Sequence, residues 1–250
     1  MGFLDAPLPL AFAHRGGAAE GDENTAEAFG RAVALGYRYV ETDVHATADG
    51  VAVVFHDRDL RRLTGRPETV ESLTWADLAT VRVAGAGAVP RLDDVLAAWP
   101  GIRFNIDLKA GPVVEPAVRT IRSAGAQDRV LLASFSDKRL AEARALAGPS
   151  IATSVGQGGA ARLRLASWMG RRVRLPESVV AAQVPARTGR LTVVDKTFLG
   201  YAHSLGLQVH VWTIDDPAEM HRLLDLGVDG IMTDRLDVLK NVYQQRSVWT

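Results

Sequence analysis

Glu41 and Asp43 stand two residues apart in VETDVHATADGVAVVFHD (residues 40–57), a stretch that closes on His56-Asp57. Val40 to His45 alternates with period two, which sets both carboxylates on one face of a strand. Like charges so placed repel unless a cation, or an Arg or Lys, lies between them. Asp49-Gly50 supplies a turn and Val51 to Phe55 reads as the returning strand, so His56 arrives at roughly the same end. Two further segments carry matching chemistry: His14-Arg15-Gly16-Gly17 after the apolar run Leu10 to Ala13, and Asp107-Leu108-Lys109 at the end of Arg103 to Leu108. Three carboxylates, two histidines, an Arg and a Lys at strand ends suit a metal-assisted reaction on a phosphate.

Each residue type has its own use in such a reaction. Glu41, Asp43 and Asp107 are hard oxygen ligands suited to one divalent cation, Mg²⁺ or Ca²⁺. The 250 residues contain no cysteine, so disulfides and thiolate metal sites are excluded. His14 and His56 can move protons near neutral pH. Arg15 and Lys109 can neutralise non-bridging phosphate oxygens, or simply pair with the nearby carboxylates. Trp212, late in Val209 to Thr213, is a candidate wall of the pocket, with core packing as its alternative role. His45 shares the parity of Glu41 and Asp43 but lies farther toward the turn, and is left out of the site. Asp57, Asp234 and Asn24 read as organisers of loops, and His203, His210 and His221 as structural.

The elements that must position these residues alternate between short apolar strands and helical stretches, the pattern of an α/β protein with a parallel sheet. The principal strands are Leu10 to His14, Tyr39 to His45, Arg103 to Leu108, Val130 to Ser134, Ile151 to Val155, Val179 to Val184, Gln208 to Thr213 and Gly230 to Thr233. Eight such units in 250 residues fit a (β/α)₈ TIM-like barrel, whose active site lies at the C-terminal ends of its strands. A doubly wound open sheet is the alternative. Asn24-Thr25-Ala26-Glu27 resembles a capping box, Asp216-Pro217 places Pro at a first helical position, and Gly36, Gly125, Gly206 and Gly227 fall where helices should stop. Between His56 and Arg103 the rhythm breaks, with a short helix expected at Trp75 to Thr80 and a Gly-rich run from Ala84 to Pro90. Residues 58–90 therefore read as a small insertion after the second strand, over the barrel mouth, within one domain spanning 1–250.

Composition narrows the partners. With 47% hydrophobic and 23% charged residues the chain can bury a large core. Formal charge is zero, 29 basic against 29 acidic, which argues against nucleic acid as a partner. No apolar run approaches the ~18 residues of a membrane span, and MGFLDAPLPLAFAHRGG lacks a basic region followed by a clean apolar one, so a cytoplasmic location is expected. Charge is unevenly distributed. Residues 160–190 hold Arg162, Arg164, Arg171, Arg172, Arg174, Arg187 and Arg190 against Glu177, which reads as a solvated face or as a peripheral contact for an anionic lipid surface. The oligomeric state is not legible.

In this order, HRGG at 14–17, ENT at 23–25, ETDVHATADGVAVVFHD at 41–57, NIDLK at 105–109, VWTID at 211–215 and GVDGIMTDRLD at 227–237 resemble the glycerophosphodiester phosphodiesterase family. The resemblance spans nearly the whole chain and is most specific in its early cluster. It implies a TIM-like barrel with a small insertion after the second strand that hydrolyses glycerophosphodiesters to glycerol 3-phosphate and an alcohol. His14 and His56 match the family's acid/base pair, and Glu41 and Asp43 its metal ligands. Asp107 stands where the family commonly has Glu, and its shorter arm implies ligation through water or an altered metal preference. One histidine would activate the attacking hydroxyl, from water or the glycerol 2-OH, and the other protonate the leaving alkoxide, with their order open. Lysophospholipids cleaved in a phospholipase D or sphingomyelinase D manner are the rival substrates, supported by the Arg-rich region with Trp168 and Met169. A non-catalytic barrel that only binds metal or a phosphorylated ligand is the rival of another class. A zinc amidohydrolase is disfavoured, because Arg15-Gly16 follows His14 where His-x-His is expected.

Overall fold

Eight parallel strands close into a ring in a computed structural model that describes residues 2–83 and 87–249. In chain order they are β1 (Leu10–Ala13), β2 (Tyr39–Ala46), β3 (Arg103–Leu108), β4 (Val130–Ala133), β5 (Ala152–Ser154), β6 (Val179–Pro185), β7 (Gln208–Trp212) and β8 (Gly230–Thr233). Each pairs in parallel with the next, and β1 pairs with both β2 and β8. That last pairing makes the sheet a barrel and excludes the open doubly wound alternative. All eight expected strands form, with ends moved by a residue or so. His14, Ser134 and Thr213 fall just outside the ladders, on the loops where a site can use them.

The strands are apolar runs because both faces of a barrel strand are covered. Outward side chains such as Val40, Val44, Phe104, Ile106, Leu132 and Val211 pack under the helices in one large cluster. Inside the barrel, Phe12, Tyr39, Leu131, Ala133, Ala181 and Met232 form a second cluster, closed from below by Phe3. The Phe3 ring meets Tyr39 edge to face at 5.3 Å.

Helix starts follow the expected chemistry with one correction. Asp216 caps Pro217–Leu226 through Glu219 N at 2.7 Å, and Gly227 ends that helix at φ 97°. The helix Ala26–Ala34, however, is capped by Thr25 alone, which accepts from Ala28 N. Asn24 precedes the cap at φ 60° and gives its side chain to the barrel interior instead, so no Asn24-Glu27 box forms.

After β2 the chain returns through the antiparallel strand Ala52–Val54, pairing Val44 with Val54. Beyond it come the short helices Arg61–Thr64 and Trp75–Leu78, the second with a capping box between Thr74 and Asp77. They pack with Val53, Phe55, Leu60, Val70, Leu78, Val81, Val83 and Val89 around an apolar cluster separate from the barrel's own. Of the Gly-rich run from Ala84 to Pro90, residues 84–86 lie outside the described residues.

Candidate active site

The chain leaves β1 by a left-handed turn. Arg15 has φ 53°, and Gly16 and Gly17 follow at 79° and 97°. A Cβ at Gly16 would come within 2.7 Å of the Phe29 ring, and one at Gly17 within 2.7 Å of Leu236, so both positions require glycine. This turn aims the Arg15 backbone N–H at Glu41 Oε2, at 3.1 Å. Arg15 and Asn24, non-glycine residues at positive φ, are joined by a hydrogen bond from Asn24 N to the Arg15 carbonyl at 2.9 Å. Such conformations cost free energy and mark places where the surroundings enforce a side-chain position.

Glu41 and Asp43 lie on one face of β2, and the β2–β3 register sets Asp107 directly beside Asp43. Two cations lie among the three buried carboxylates. Lys109 Nζ stands 3.2 Å from Asp43 Oδ1 and 3.1 Å from Asp107 Oδ2, while Arg15 Nε is 3.3 Å from Asp43 Oδ2. Asn24 completes the grip on Asp43, donating from Nδ2 at 2.9 Å while its Oδ1 accepts from Thr42.

The carboxylates therefore differ. Burial favours the neutral form of all three. For Asp43 the charges of Lys109, His56 and Arg15 win, and its pKa lies below the usual range. For Glu41, burial and repulsion from Asp43 and Asp107 outweigh His14 and Arg15, and the pKa rises. Asp107 is likewise raised, by burial and then Asp43, despite Lys109.

The two histidines are built alike. His14 Nδ1 donates to Asp234 Oδ1 at 2.7 Å and His56 Nδ1 to Asp57 Oδ1 at 2.6 Å, leaving each Nε2 free for chemistry. They differ in what stands behind them. The His14 Nε2 is 3.7 Å from Glu41 Oε2. Burial works against a charge there, yet Glu41 and Asp234 more than offset it and raise the His14 pKa above the imidazole norm. Behind His56, Asp57 also receives Arg62, through Nε at 2.6 Å and Nη2 at 3.1 Å. Although burial opposes it, Arg62 and His56 draw the Asp57 pKa down to about 2. Arg62 continues to Glu23, which Arg15 Nη1 also reaches at 2.9 Å.

The structure thus gathers His14, Arg15, Glu41, Asp43, Asp107 and Lys109 into one network and sets His56 near enough for its charge to act on Asp43. Trp212 stands apart, its ring edge to face with Phe135 at 5.5 Å. Phe135, half exposed just past β4, carries no sequence signal that separates it from a core aromatic. His45 belongs to the scaffold, donating from Nε2 to the His56 carbonyl at 3.2 Å. Asp57, Asp234 and Asn24, read from sequence as loop organisers, contact His56, His14 and Asp43 directly. Arg62 carries no sequence signal for the site and Glu23 stands out only within ENT at 23–25, because their pairing joins segments 39 residues apart.

The donor chemistry fits a hard divalent cation. Asp107 Oδ1 is buried without a hydrogen-bond partner, and Glu41 and Asp107 are pushed toward protonation by burial and by the neighbouring Asp43, the condition a bound cation relieves. Among the described residues no three His, Asp or Glu side chains already stand gathered as a closed metal site. The Lys109 ammonium and the Arg15 guanidinium lie among the carboxylates in this arrangement.

Residues 14–238 match the model of the glycerophosphoryl diester phosphodiesterase family. A Mycobacterium tuberculosis protein described as probable glycerophosphodiester phosphodiesterase 2 is 40% identical over 244 residues, covering 96% of this chain and 92% of its own. A crystal structure of a putative glycerophosphoryl diester phosphodiesterase from Silicibacter pomeroyi superposes with a TM-score of 0.81 at 24% identity, over 100% of this chain and 98% of that one. An Oleispira antarctica phosphodiesterase, solved with the product sn-glycerol-3-phosphate, gives a TM-score of 0.79 at 22% identity, over 95% and 97% of the two chains.

Proposed function

The chain belongs to the glycerophosphoryl diester phosphodiesterase family and is an enzyme that hydrolyses glycerophosphodiesters, and we propose that it does so with His14 and His56 as a proton-transfer pair acting on a phosphate held by Arg15 and Lys109. The observation that carries this reading is the pair of matched His–Asp units, each with its Nε2 free, flanking a carboxylate and cation cluster at the C-terminal ends of the strands.

His14 is the acid. Glu41 and Asp234 keep a proton on it in the resting site, ready for the leaving alcohol oxygen. His56 is the base: Asp57 fixes its Nδ1 proton, so Nε2 presents a lone pair to the attacking hydroxyl. Arg62 grips Asp57 in turn and keeps that carboxylate facing His56 Nδ1. Arg15 and Lys109 meet the non-bridging phosphate oxygens, where charge is redistributed in the transition state. Glu41, Asp43 and Asp107 would hold a divalent cation, Mg²⁺ or Ca²⁺, which when bound supplies Lewis-acid polarisation and charge neutralisation at the phosphate. Trp212 and Phe135 form an aromatic wall that the alcohol moiety can pack against.

Glycerol 3-phosphate release from glycerophosphocholine by EDTA-stripped protein, with Mg²⁺ or Ca²⁺ restored, tests the reading beside the His56→Ala variant. Metal-dependent release that disappears in the variant is the expected result. Release unaffected by His56→Ala would sink the assignment of the pair. Lysophospholipids are the second reading of the same site, favoured by the half-exposed Phe135. Preference for lysophosphatidylcholine over glycerophosphocholine in parallel assays would select it.

A further inference from the structure

The helix Gln157–Met169 follows β5, so it starts at the mouth of the barrel and ends at the opposite face, where residues 170–178 lead into β6. Leu163 and Ala166 are buried against the barrel, whereas Leu165, Trp168 and Met169 are 54%, 54% and 48% exposed. Their i, i+3, i+4 spacing places all three on one outward face. Trp168 is held in place. The Arg164 guanidinium lies over its ring at 4.3 Å and is anchored by two bonds to Asp195, Nη1 to Oδ1 at 2.9 Å and Nη2 to Oδ2 at 2.5 Å. The following loop is also pinned, since Tyr201 Oη accepts from Val173 N at 3.1 Å and donates to the Arg171 carbonyl at 2.7 Å. Arg162, Arg171, Arg172 and Arg174 are exposed along helix and loop, and Glu177 is the single acidic residue between 157 and 178.

We infer that this end of the barrel is a docking surface for an anionic lipid bilayer, with Leu165, Trp168 and Met169 entering the interfacial layer and the four exposed arginines meeting lipid phosphates. Positive charge beside a clustered apolar face is the chemistry of interfacial binding. A nucleic acid would satisfy the arginines and leave the apolar trio exposed. Trp168, with an apolar body and a polar N–H, suits the depth of the headgroups. Docked this way, the catalytic mouth at the other end of the strands faces water. A water-soluble diester then reaches it from solution, a consequence that rests on the hydrolytic reading, whereas the docking does not.

Co-sedimentation of the intact protein with vesicles of phosphatidylglycerol and phosphatidylcholine, against phosphatidylcholine alone, tests the surface. We expect binding to the anionic vesicles, reversed by about 0.5 M NaCl. It should fall roughly tenfold or more when Arg171, Arg172 and Arg174 are all changed to Glu, and fall also in Trp168→Ser. Glycerol 3-phosphate release without vesicles should be unchanged in both variants, which shows them folded and keeps this test separate from that of the catalytic site. No preference for anionic vesicles, binding retained by the triple variant, or binding to a DNA duplex with none to vesicles would each overturn the proposal.

Discussion

Arg62 holds Asp57 by two hydrogen bonds, and one of the two oxygens it grips, Oδ1, is the atom that receives the proton of His56 Nδ1. The same guanidinium spans to Glu23, which Arg15 also binds. One side chain from the segment beyond the hairpin thereby ties His56 to the turn that carries His14 and Arg15.

Cutting that tie should impair turnover more than binding. Arg62→Ala is expected to lower kcat by about 10–100-fold with little change in KM, the usual cost of losing a group that orients a reacting one. Arg62→Lys should recover only part, because an ammonium keeps the charge but cannot fork across two carboxylates. Steady-state release of glycerol 3-phosphate measures both. Equal losses in Arg62→Ala and Arg62→Lys would mean that the guanidinium fork, rather than its charge, is what matters.

His14→Ala and His56→Ala should each reduce kcat by roughly 10²–10⁴-fold while leaving the circular dichroism spectrum intact. Asp234→Asn, which keeps the shape of the partner to His14 Nδ1 but removes its charge, should cost less than His14→Ala. A variant of either histidine retaining most of its activity would remove that residue from the mechanism.

EDTA treatment is expected to abolish hydrolysis, and Mg²⁺ or Ca²⁺ to restore it. Because a ligand that binds only the folded state raises its stability, the same addition should raise the melting temperature of stripped wild-type protein. Asp107→Ala should reduce both responses. Stripped protein with full activity and an unmoved melting curve would count against a bound cation.

Acid stability should report on His210. Burial inside the barrel lowers its pKa to about 3, with Gln183 donating to Nδ1 and Nε2 donating to Gln208. The folded pKa lies below the unfolded value of about 6.5, so between those limits the unfolded chain binds the extra proton. Stability is then full above about pH 6.5 and declines toward pH 3, by up to ~1.4 kcal/mol per unit from this group. Urea unfolding at pH 7, 6, 5 and 4 should show a steeper decline in wild type than in His210→Asn. Parallel slopes would show that another group controls the acid limb.

Much of this was legible in the sequence, for reasons particular residues make plain. Barrel strands such as Val130–Ala133 are covered on both faces, so apolar runs announce them. Glu41 and Asp43 declare a shared face through strand parity, and the β2–β3 register adds Asp107. What stayed hidden depends on closure in three dimensions. Asn24 looked like a cap because its neighbour Thr25 is one, yet a left-handed backbone sends its amide to Asp43. Asp234 reads as a loop organiser and Arg62 as an ordinary surface charge until the barrel and the segment after the hairpin bring them to His14 and Asp57. Phe135 gave no periodic signal, since it lies in the short loop between the strand Val130–Ala133 and the helix that begins at Asp137.

His14 and its partner Asp234 are separated by 220 positions and meet because β1 pairs with β8. A growing chain on the ribosome can form the hairpin, Glu41, Asp43 and His56 long before residue 234 has been synthesised. On the roles proposed above, the acid end of the pair is nevertheless unbuilt until the last strand slots beside the first. The His14–Asp234 contact and completion of the barrel are therefore the same event, and neither a nascent chain nor a fragment cut ahead of β8 can carry that contact.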